Sequence, residues 1–382
     1  MSVAPAATGF VEPAYGVRSL GDVLPAVAHA LGAGHAFVDD RPTDLVLPEA
    51  PAYVVLLVDG LGHELLREHP EDAPFLHELL LASTPATAGV PSTTATSLTS
   101  LGTALTPGHH GVLGYTTRVP GTDRLLNALQ WSKSVDPVEW QPHTTAFARL
   151  AAAGVDARAV NKREFADSGL TRASTRGAEY VGADRVGERL VAAVEGSAGS
   201  GPSLTYLYDP DLDWTGHRYG VDSAQWRAEL EAIDTSTLQL REMLDPATRL
   251  VVVADHGMVD PPEEHRLEVD DVPGLRDGVA LLGGEARFRH LYCRGGAVDD
   301  VAATWRSVLG ERAEVLTRDE AFARGWFGRE TALARPRVGD VVVACTGDHA
   351  ILSRADFPVE PRLVGMHGSL TAAEMLVPVL VG

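Results

Sequence analysis

Six side chains spread along this 382-residue sequence could together hold metal ions: Asp59, Asp213, His217, Asp255, His256 and His367. Three carboxylates and three imidazoles with no thiolate among them suit Zn2+, with Mn2+ the next candidate. Six such ligands are too many for one tetrahedral ion and reasonable for two. In two-metal sites, with ions about 3.5–4 Å apart, one ion activates a nucleophile and the other stabilises the opposite oxygen of the displacement. The segment from Gly89 to Gly108 offers the nucleophile. Pro91 and the hydroxyls after it mark a helix start. Thr93 and Thr94 therefore sit where outward-pointing backbone N–H groups and the helix dipole favour an anion. A threonine hydroxyl is a weak nucleophile by itself, and metal coordination is one way to activate it.

These side chains need elements to position them. Ala52-Tyr-Val-Val-Leu-Leu-Val58 is a short, continuous apolar run, the pattern of a buried parallel strand, and it stops at Asp59-Gly60. The run Ser203–Tyr208 opens into the acidic stretch that ends at Asp213, and Arg249–Ala254 ends in Asp255-His256-Gly257. Open α/β sheets bind ligands beyond the carboxyl ends of their strands, which is where these three acids would lie. Leu98, Leu101 and Leu105 give the helix after Thr94 an apolar stripe, which Pro107-Gly108 is expected to end. Helical spacing also marks Leu20–Leu31, Val186–Glu195 and Ala224–Leu244.

The expected fold class is α/β, a central and mostly parallel sheet sandwiched by helices. Residues 261–340 read as an inserted, smaller α+β unit, leaving 1–260 and 341–382 as the catalytic core. Within the insertion, Val279–Cys293 reads as a hairpin turning at Gly283-Gly284, with a helix at Asp299–Leu309 and a strand at Ala313–Leu316. The apolar run Val338–Ala344 is expected to rejoin the main sheet, and Met375–Val381 to supply a last strand.

Five motifs, Val58-Asp59-Gly60, Pro91-Ser-Thr-Thr94, Asp213-x-x-Gly-His217, Asp255-His-Gly257 and Gly365-x-His367-Gly368, occur in the order and context of the alkaline phosphatase superfamily. More narrowly, the chain resembles the type I phosphodiesterase/nucleotide pyrophosphatase branch. That resemblance implies a hydrolase acting on phosphoric ester or phosphoanhydride bonds, with an alkaline-phosphatase-like fold. It implies Thr94 as the nucleophile, passing through a covalent phosphothreonine. Asp59, Asp255 and His256 would share one Zn2+ with Thr94, and Asp213, His217 and His367 would hold the second. The family's Thr-Gly-Leu-x-Pro segment is matched by Thr103-Ala-Leu-Thr-Pro107, and counting back from it selects Thr94. Thr93 is then expected to be a capping hydroxyl.

The departures bear on substrate. Nucleotide-specific members carry Phe after the nucleophile, where this chain has Ala95, and Tyr115 replaces the family Asn that helps hold a phosphate oxygen. Tyr115, Tyr206, Tyr208 and Trp214 are candidate pocket residues. A phosphomonoesterase or phosphonate hydrolase would use the same metals and Thr94, and is the alternative activity. A non-catalytic binding relative fits less well, because the nucleophile and all six ligands are retained.

Composition narrows the partners. A net charge of −20 argues against polymeric nucleic acid and anionic membranes, while the resemblance implies a small-molecule phosphate ester as the ligand. An acidic chain that handles phosphate needs local cations, which bound metal provides. No basic start with a following apolar run opens the sequence, and no run reaches the roughly 18 apolar residues of a membrane span. A cytoplasmic location is expected. Cys293 and Cys345 lack metal-finger spacing and are expected to be buried or incidental. The sequence leaves the oligomeric state open.

Overall fold

In the computed structural model, which describes residues 9–37 and 43–382, the run Ala52–Val58 forms strand β1 with every residue buried. Helix α1 follows at Thr94–Thr103. Strands β2 (Asp156–Asn161) and β3 (Glu179–Gly182) come next, then helix α2 (Val186–Ser197). Strand β4 (Ser203–Asp209) leads directly into helix α3 (Asp211–Tyr219) and the long helix α4 (Ala224–Met243). Strand β5 is Thr248–Val253. The second half of the chain supplies β6 (Val279–Glu285), β7 (Phe288–Cys293), helix α5 (Val298–Leu309), β8 (Ala313–Thr317), β9 (Val341–Cys345) and β10 (Val379–Val381).

Six strands form the main sheet in the order β10-β5-β1-β4-β2-β3. All neighbours run parallel except β10, which is antiparallel to β5. Helix α2 packs on β4 and β2, and α4 packs on α2 and α3. The expected α/β architecture is thus present. The register is what matters for the site. Val58 lies opposite Asp209, and Leu57 lies opposite Val253. The three central strands therefore end level, and the residues just beyond them converge on one edge. Buried strands rich in Val and Leu specify this arrangement, since each fully buried aliphatic side chain contributes about 1.5–3 kcal/mol.

A second sheet, antiparallel throughout, has the order β6-β7-β9-β8. The expectation that the Val338–Ala344 run rejoins the main sheet fails here, because β9 sits between β7 and β8. Val341, Val343 and Cys345 face the small sheet's own core, while Val342 and Ala344 face the main core. Burial on both faces produced the continuous apolar run, and that pattern does not say which sheet a strand joins. The hairpin also turns later than expected, at Ala286-Arg287. Gly284 lies inside β6 at φ +85°, and a Cβ there would meet the Phe288 carbonyl at 2.1 Å. Its glycine serves a close strand approach, not the turn.

The start and end of α1 are refined as well. Thr93 occupies the N-cap position, but its side chain makes no capping hydrogen bond. Ala104 closes the helix in the left-handed conformation, and Pro107 opens a separate turn, Pro107–His110. Proline's fixed φ suits a first helical residue as well as it ends a preceding one.

Two fully buried arginines on either side of Phe288 tie the small sheet to the C-terminal segment. Arg287 forks onto Glu374 with two 2.7 Å bonds, and Arg289 forks onto Glu360. Both acids flank the segment that carries His367. The two cysteines are free thiols, Cys345 buried and Cys293 half-buried. Among the described residues, no helix is long and apolar enough to cross a membrane.

Candidate active site at the carboxyl edge of the sheet

The three acids emerge where the register puts them. Asp59 follows β1 and donates its backbone N–H to the Asp209 carbonyl at 2.9 Å. Asp255 follows β5, and its Oδ1 accepts from the Gly60 N–H at 3.1 Å, locking the two strand ends together. Asp213 and His217 are spaced by four on α3, so one helical face presents both, with His217 Nε2 at 3.4 Å from Asp213 Oδ2. His256 Nε2 stands 3.5 Å from Asp59 Oδ1 and 3.3 Å from Asp255 Oδ2. His367 enters from the C-terminal segment, stacked on His256 with ring centres 3.7 Å apart. Its Nε2 lies 3.2 Å from His217 Nε2 and 3.8 Å from Asp213 Oδ1. Thr94 Oγ1, at the first turn of α1, is 3.2 Å from His256 Nε2. All seven residues expected from the sequence come together.

The three imidazoles share one orientation. Nδ1 of His217 bonds the Gly365 carbonyl at 2.8 Å, that of His256 the Gly257 carbonyl at 3.0 Å, and that of His367 the Ser92 carbonyl at 2.9 Å. Each ring thereby presents Nε2 inward, the arrangement by which an outer hydrogen bond fixes tautomer and aim for a metal ligand. Gly257 is required where it stands, since a Cβ would meet the Ala373 carbonyl at 1.9 Å.

The donor set fits bound cations. Asp59 Oδ1, Asp213 Oδ1 and Asp255 Oδ2 are buried and have no hydrogen-bond partner. Asp59, Asp255 and His256 form one group whose ligand atoms lie within 4.8 Å of one another, and Asp213, His256 and His367 form another. Burial, and then the neighbouring Asp255 and Asp213, push the Asp59 carboxyl well above the usual carboxylate range. Burial also raises Asp255, while burial and the facing His256 and His217 hold His367 well below an ordinary histidine. Packed carboxylates without counter-charge are unfavourable, and a divalent cation supplies that charge. Tyr208 donates its hydroxyl to Asp59 Oδ2, which fixes the orientation of that carboxyl.

A cavity of about 260 Å³ opens from Thr94, Asp59 and Asp213. Tyr206, Tyr208 and Trp214 are among its lining residues, Trp214 remaining 65% exposed. Tyr115 is not among the lining residues. The Thr116–Arg118 strand pairs with Leu125–Asn127, and this turns the Tyr115 hydroxyl toward the Asn127 amide. The reading from sequence missed most of the wall: Leu98, Leu129, Asn161, Phe165, Leu170 and Tyr180. These residues come from separate loops and helices and share no spacing that marks them. It also missed Glu285, buried at the end of β6, with Oε2 at 3.8 Å from His367 Nδ1. The Thr93 hydroxyl faces this carboxylate instead of capping α1.

A family model described as type I phosphodiesterase / nucleotide pyrophosphatase matches residues 53–370. No curated protein matches the chain. Among solved structures, murine ectonucleotide pyrophosphatase / phosphodiesterase 5 aligns with TM-score 0.68 at 20% identity, over 86% of this chain and 87% of that one. An inactive form of the same murine protein in complex with AMP aligns at 0.67 and 19%, over 86% and 87%. Phosphonoacetate hydrolase from Sinorhizobium meliloti 1021, in complex with phosphonoformate, aligns at 0.65 and 19%, over 87% and 90%. At these identities the likeness is one of fold.

Proposed function

The chain belongs to the type I phosphodiesterase/nucleotide pyrophosphatase family, and from that premise we propose that it is a metal-dependent phosphodiesterase with Thr94 as its nucleophile. The observation that carries this reading is the meeting of Thr94 Oγ1 with His256 Nε2, 3.2 Å apart, against two groups of buried acids and imidazoles. Asp59, Asp255 and His256 would hold one Zn2+ together with Thr94, and Asp213, His217 and His367 the other. Bound there, the ions supply positive charge that favours the ionised Thr94 hydroxyl and the developing charge on the leaving oxygen.

The chain's own residues do the rest. Thr94 Oγ1 attacks phosphorus in line, forming the Thr94 O–P bond as the ester P–O bond breaks and the alcohol leaves. Water then breaks the Thr94 O–P bond and releases the phosphorylated product. Two inversions give net retention at phosphorus. The N-terminal turn of α1 favours the phosphoryl anion beside Thr94. The backbone carbonyls of Ser92, Gly257 and Gly365 keep the three imidazoles aimed throughout.

The cleft narrows the substrate. Its described lining contains no Lys, Arg or His, and its only acids are Asp59 and Asp213. The nearest lysine in sequence, Lys162, is engaged by Asp211 at 2.6 Å. A group carrying a carboxylate or a further phosphate would find no cation on these walls. An uncharged organic group finds Leu98, Phe165, Tyr180 and Trp214 to pack against. Ala95 is buried in an apolar cluster with Val112, Leu126 and Trp140, and its methyl offers no stacking face to a base. The reading is therefore a phosphodiester with uncharged, partly aromatic substituents.

The test is hydrolysis of bis-p-nitrophenyl phosphate, p-nitrophenyl phosphate, a nucleoside p-nitrophenyl phosphate and phosphonoacetate, side by side, by zinc-loaded protein. The two diesters should be preferred in kcat/KM by about tenfold or more, which is about 1.4 kcal/mol of differential transition-state binding. Preference for the monoester or for phosphonoacetate would overturn the assignment. A chiral phosphorothioate diester hydrolysed with inversion would remove Thr94 from the chemistry.

A further inference from the structure

Outside the cleft, residues of the inserted region and of the segment after β9 meet in a short parallel pair, Arg266–Glu268 beside Ala350–Leu352. Ala350 is in register with Arg266, so His265 and His349, one residue before each, stand side by side. Their rings lie 4.4 Å apart between centres, inclined at 44°. Asp348 closes the group, its Oδ1 at 2.6 Å from His265 Nδ1. One ligand atom from each of the three lies within 4.8 Å of the others.

We propose that His265, Asp348 and His349 form a further divalent-cation site, separate from the catalytic cluster, suited to Zn2+ or another borderline ion. Two imidazoles and one carboxylate are ligands such ions favour, and water completes a tetrahedron where only three come from protein. Nδ1 of His349 is buried as an atom and makes no hydrogen bond of ordinary geometry, although its ring lies against the His265 backbone and near Asp348, and a buried nitrogen so placed is stabilised by a cation. His265 and Asp348 are 39% and 48% exposed in their side chains, so the open position faces solvent. The backbone behind the ligands is held in place. Arg287 donates to the carbonyls of His349 and Gly347 while forked onto Glu374, and the His349 N–H bonds the Thr346 carbonyl at 3.1 Å. Side chains carried on such a backbone lose little freedom when they close on an ion. None of these three residues takes part in the proposed reaction.

The test is metal stoichiometry. Full-length protein dialysed against Zn2+ should carry one equivalent more than the His265→Ala/His349→Ala variant, with unchanged turnover of bis-p-nitrophenyl phosphate. Asp348→Asn, which preserves shape at the surface, should weaken binding of that equivalent without altering the circular dichroism. An Asp59→Asn/Asp213→Asn protein, loaded with Co2+ alone, should still show the visible band of one tetrahedral nitrogen–oxygen site, and should lose it when His349→Ala is added. Equal metal content in the parent and the His265→Ala/His349→Ala variant overturns the proposal. Loss of turnover on Asp59→Asn bears only on the catalytic reading, so the two fail separately.

Discussion

Two adjacent hydroxyls, Thr93 and Thr94, are chemically alike and are set apart by what each faces. Thr94 points to His256 Nε2, whereas Thr93 points to Glu285. Thr94→Ala should lower kcat by about 10⁴-fold or more, as removal of a covalent nucleophile does, while leaving the circular dichroism and metal content unchanged. Thr93→Ala should keep most of the turnover. Because no cap bond is lost, its stability cost should fall below the roughly 1 kcal/mol of a removed N-cap, as read by urea denaturation. The same scale governs metal removal. With Asp59 crowded by Asp255 and Asp213, chelation should lower the melting temperature as well as abolish activity. Zn2+ at about a thousand times its dissociation constant should restore about 4 kcal/mol, seen as a dose-dependent rise in Tm.

At the scale of elements, the small sheet sets the position of the C-terminal segment that carries His367. Arg287 and Glu374 are both fully buried and doubly bonded, and Glu374 also accepts from the Ser369 N–H at 3.0 Å. Arg287→Met would leave Glu374 as an uncompensated buried charge, costing about 3–5 kcal/mol. Part of that loss should return in Arg287→Met/Glu374→Leu, which removes both charges. Chemical denaturation of the two variants checks the stability, and zinc content checks whether His367 has moved. Trp214 sits on α3 and leans into the cleft mouth at 65% exposure. Trp214→Ala should raise KM for aryl diesters about tenfold with little change in kcat, since it packs against the substituent and not the phosphorus.

The whole molecule carries a charge of −20 and also buries neutral histidine. His290 Nε2 donates to the Leu113 carbonyl at 2.8 Å, and its Nδ1 accepts from the Gly339 N–H at 3.2 Å, which fixes the tautomer. Burial lowers its pKa to about 4, against an unfolded value of about 6.5. Between those values the unfolded chain binds a proton that the folded chain refuses. Stability from this residue is therefore complete above pH about 6.5 and is lost as pH falls toward about 4, by roughly 3 kcal/mol. Denaturation midpoints across this range should drop with acid, and His290→Asn should flatten that slope from a lower starting stability. An unchanged slope in the variant would place the acid sensitivity elsewhere.

How much of this was legible in the sequence depends on how local each cause is. Continuous Val- and Leu-rich runs ending at Asp59 and just before Asp255, with the Ser203–Tyr208 run ahead of Asp213, identify buried parallel strands and the edge they share, because strand period and burial are written locally. The hydroxyls at a helix start and the His spaced four after Asp213 are local in the same sense. Tertiary structure alone decided that β9 lies in the small sheet, since an apolar run records burial on both faces but not the identity of its neighbours. It alone turned Tyr115 toward Asn127, through the pairing of two short neighbouring strands, and Thr93 toward Glu285, which lies far along the chain. It alone brought the carbonyls of Ser92, Gly257 and Gly365 behind three imidazoles, because a backbone carbonyl belongs to every residue type and leaves no mark in the sequence. The uncharged wall of the cleft was hidden for a similar reason. Its residues are individually ordinary and become a binding surface only when the fold sets them around one space.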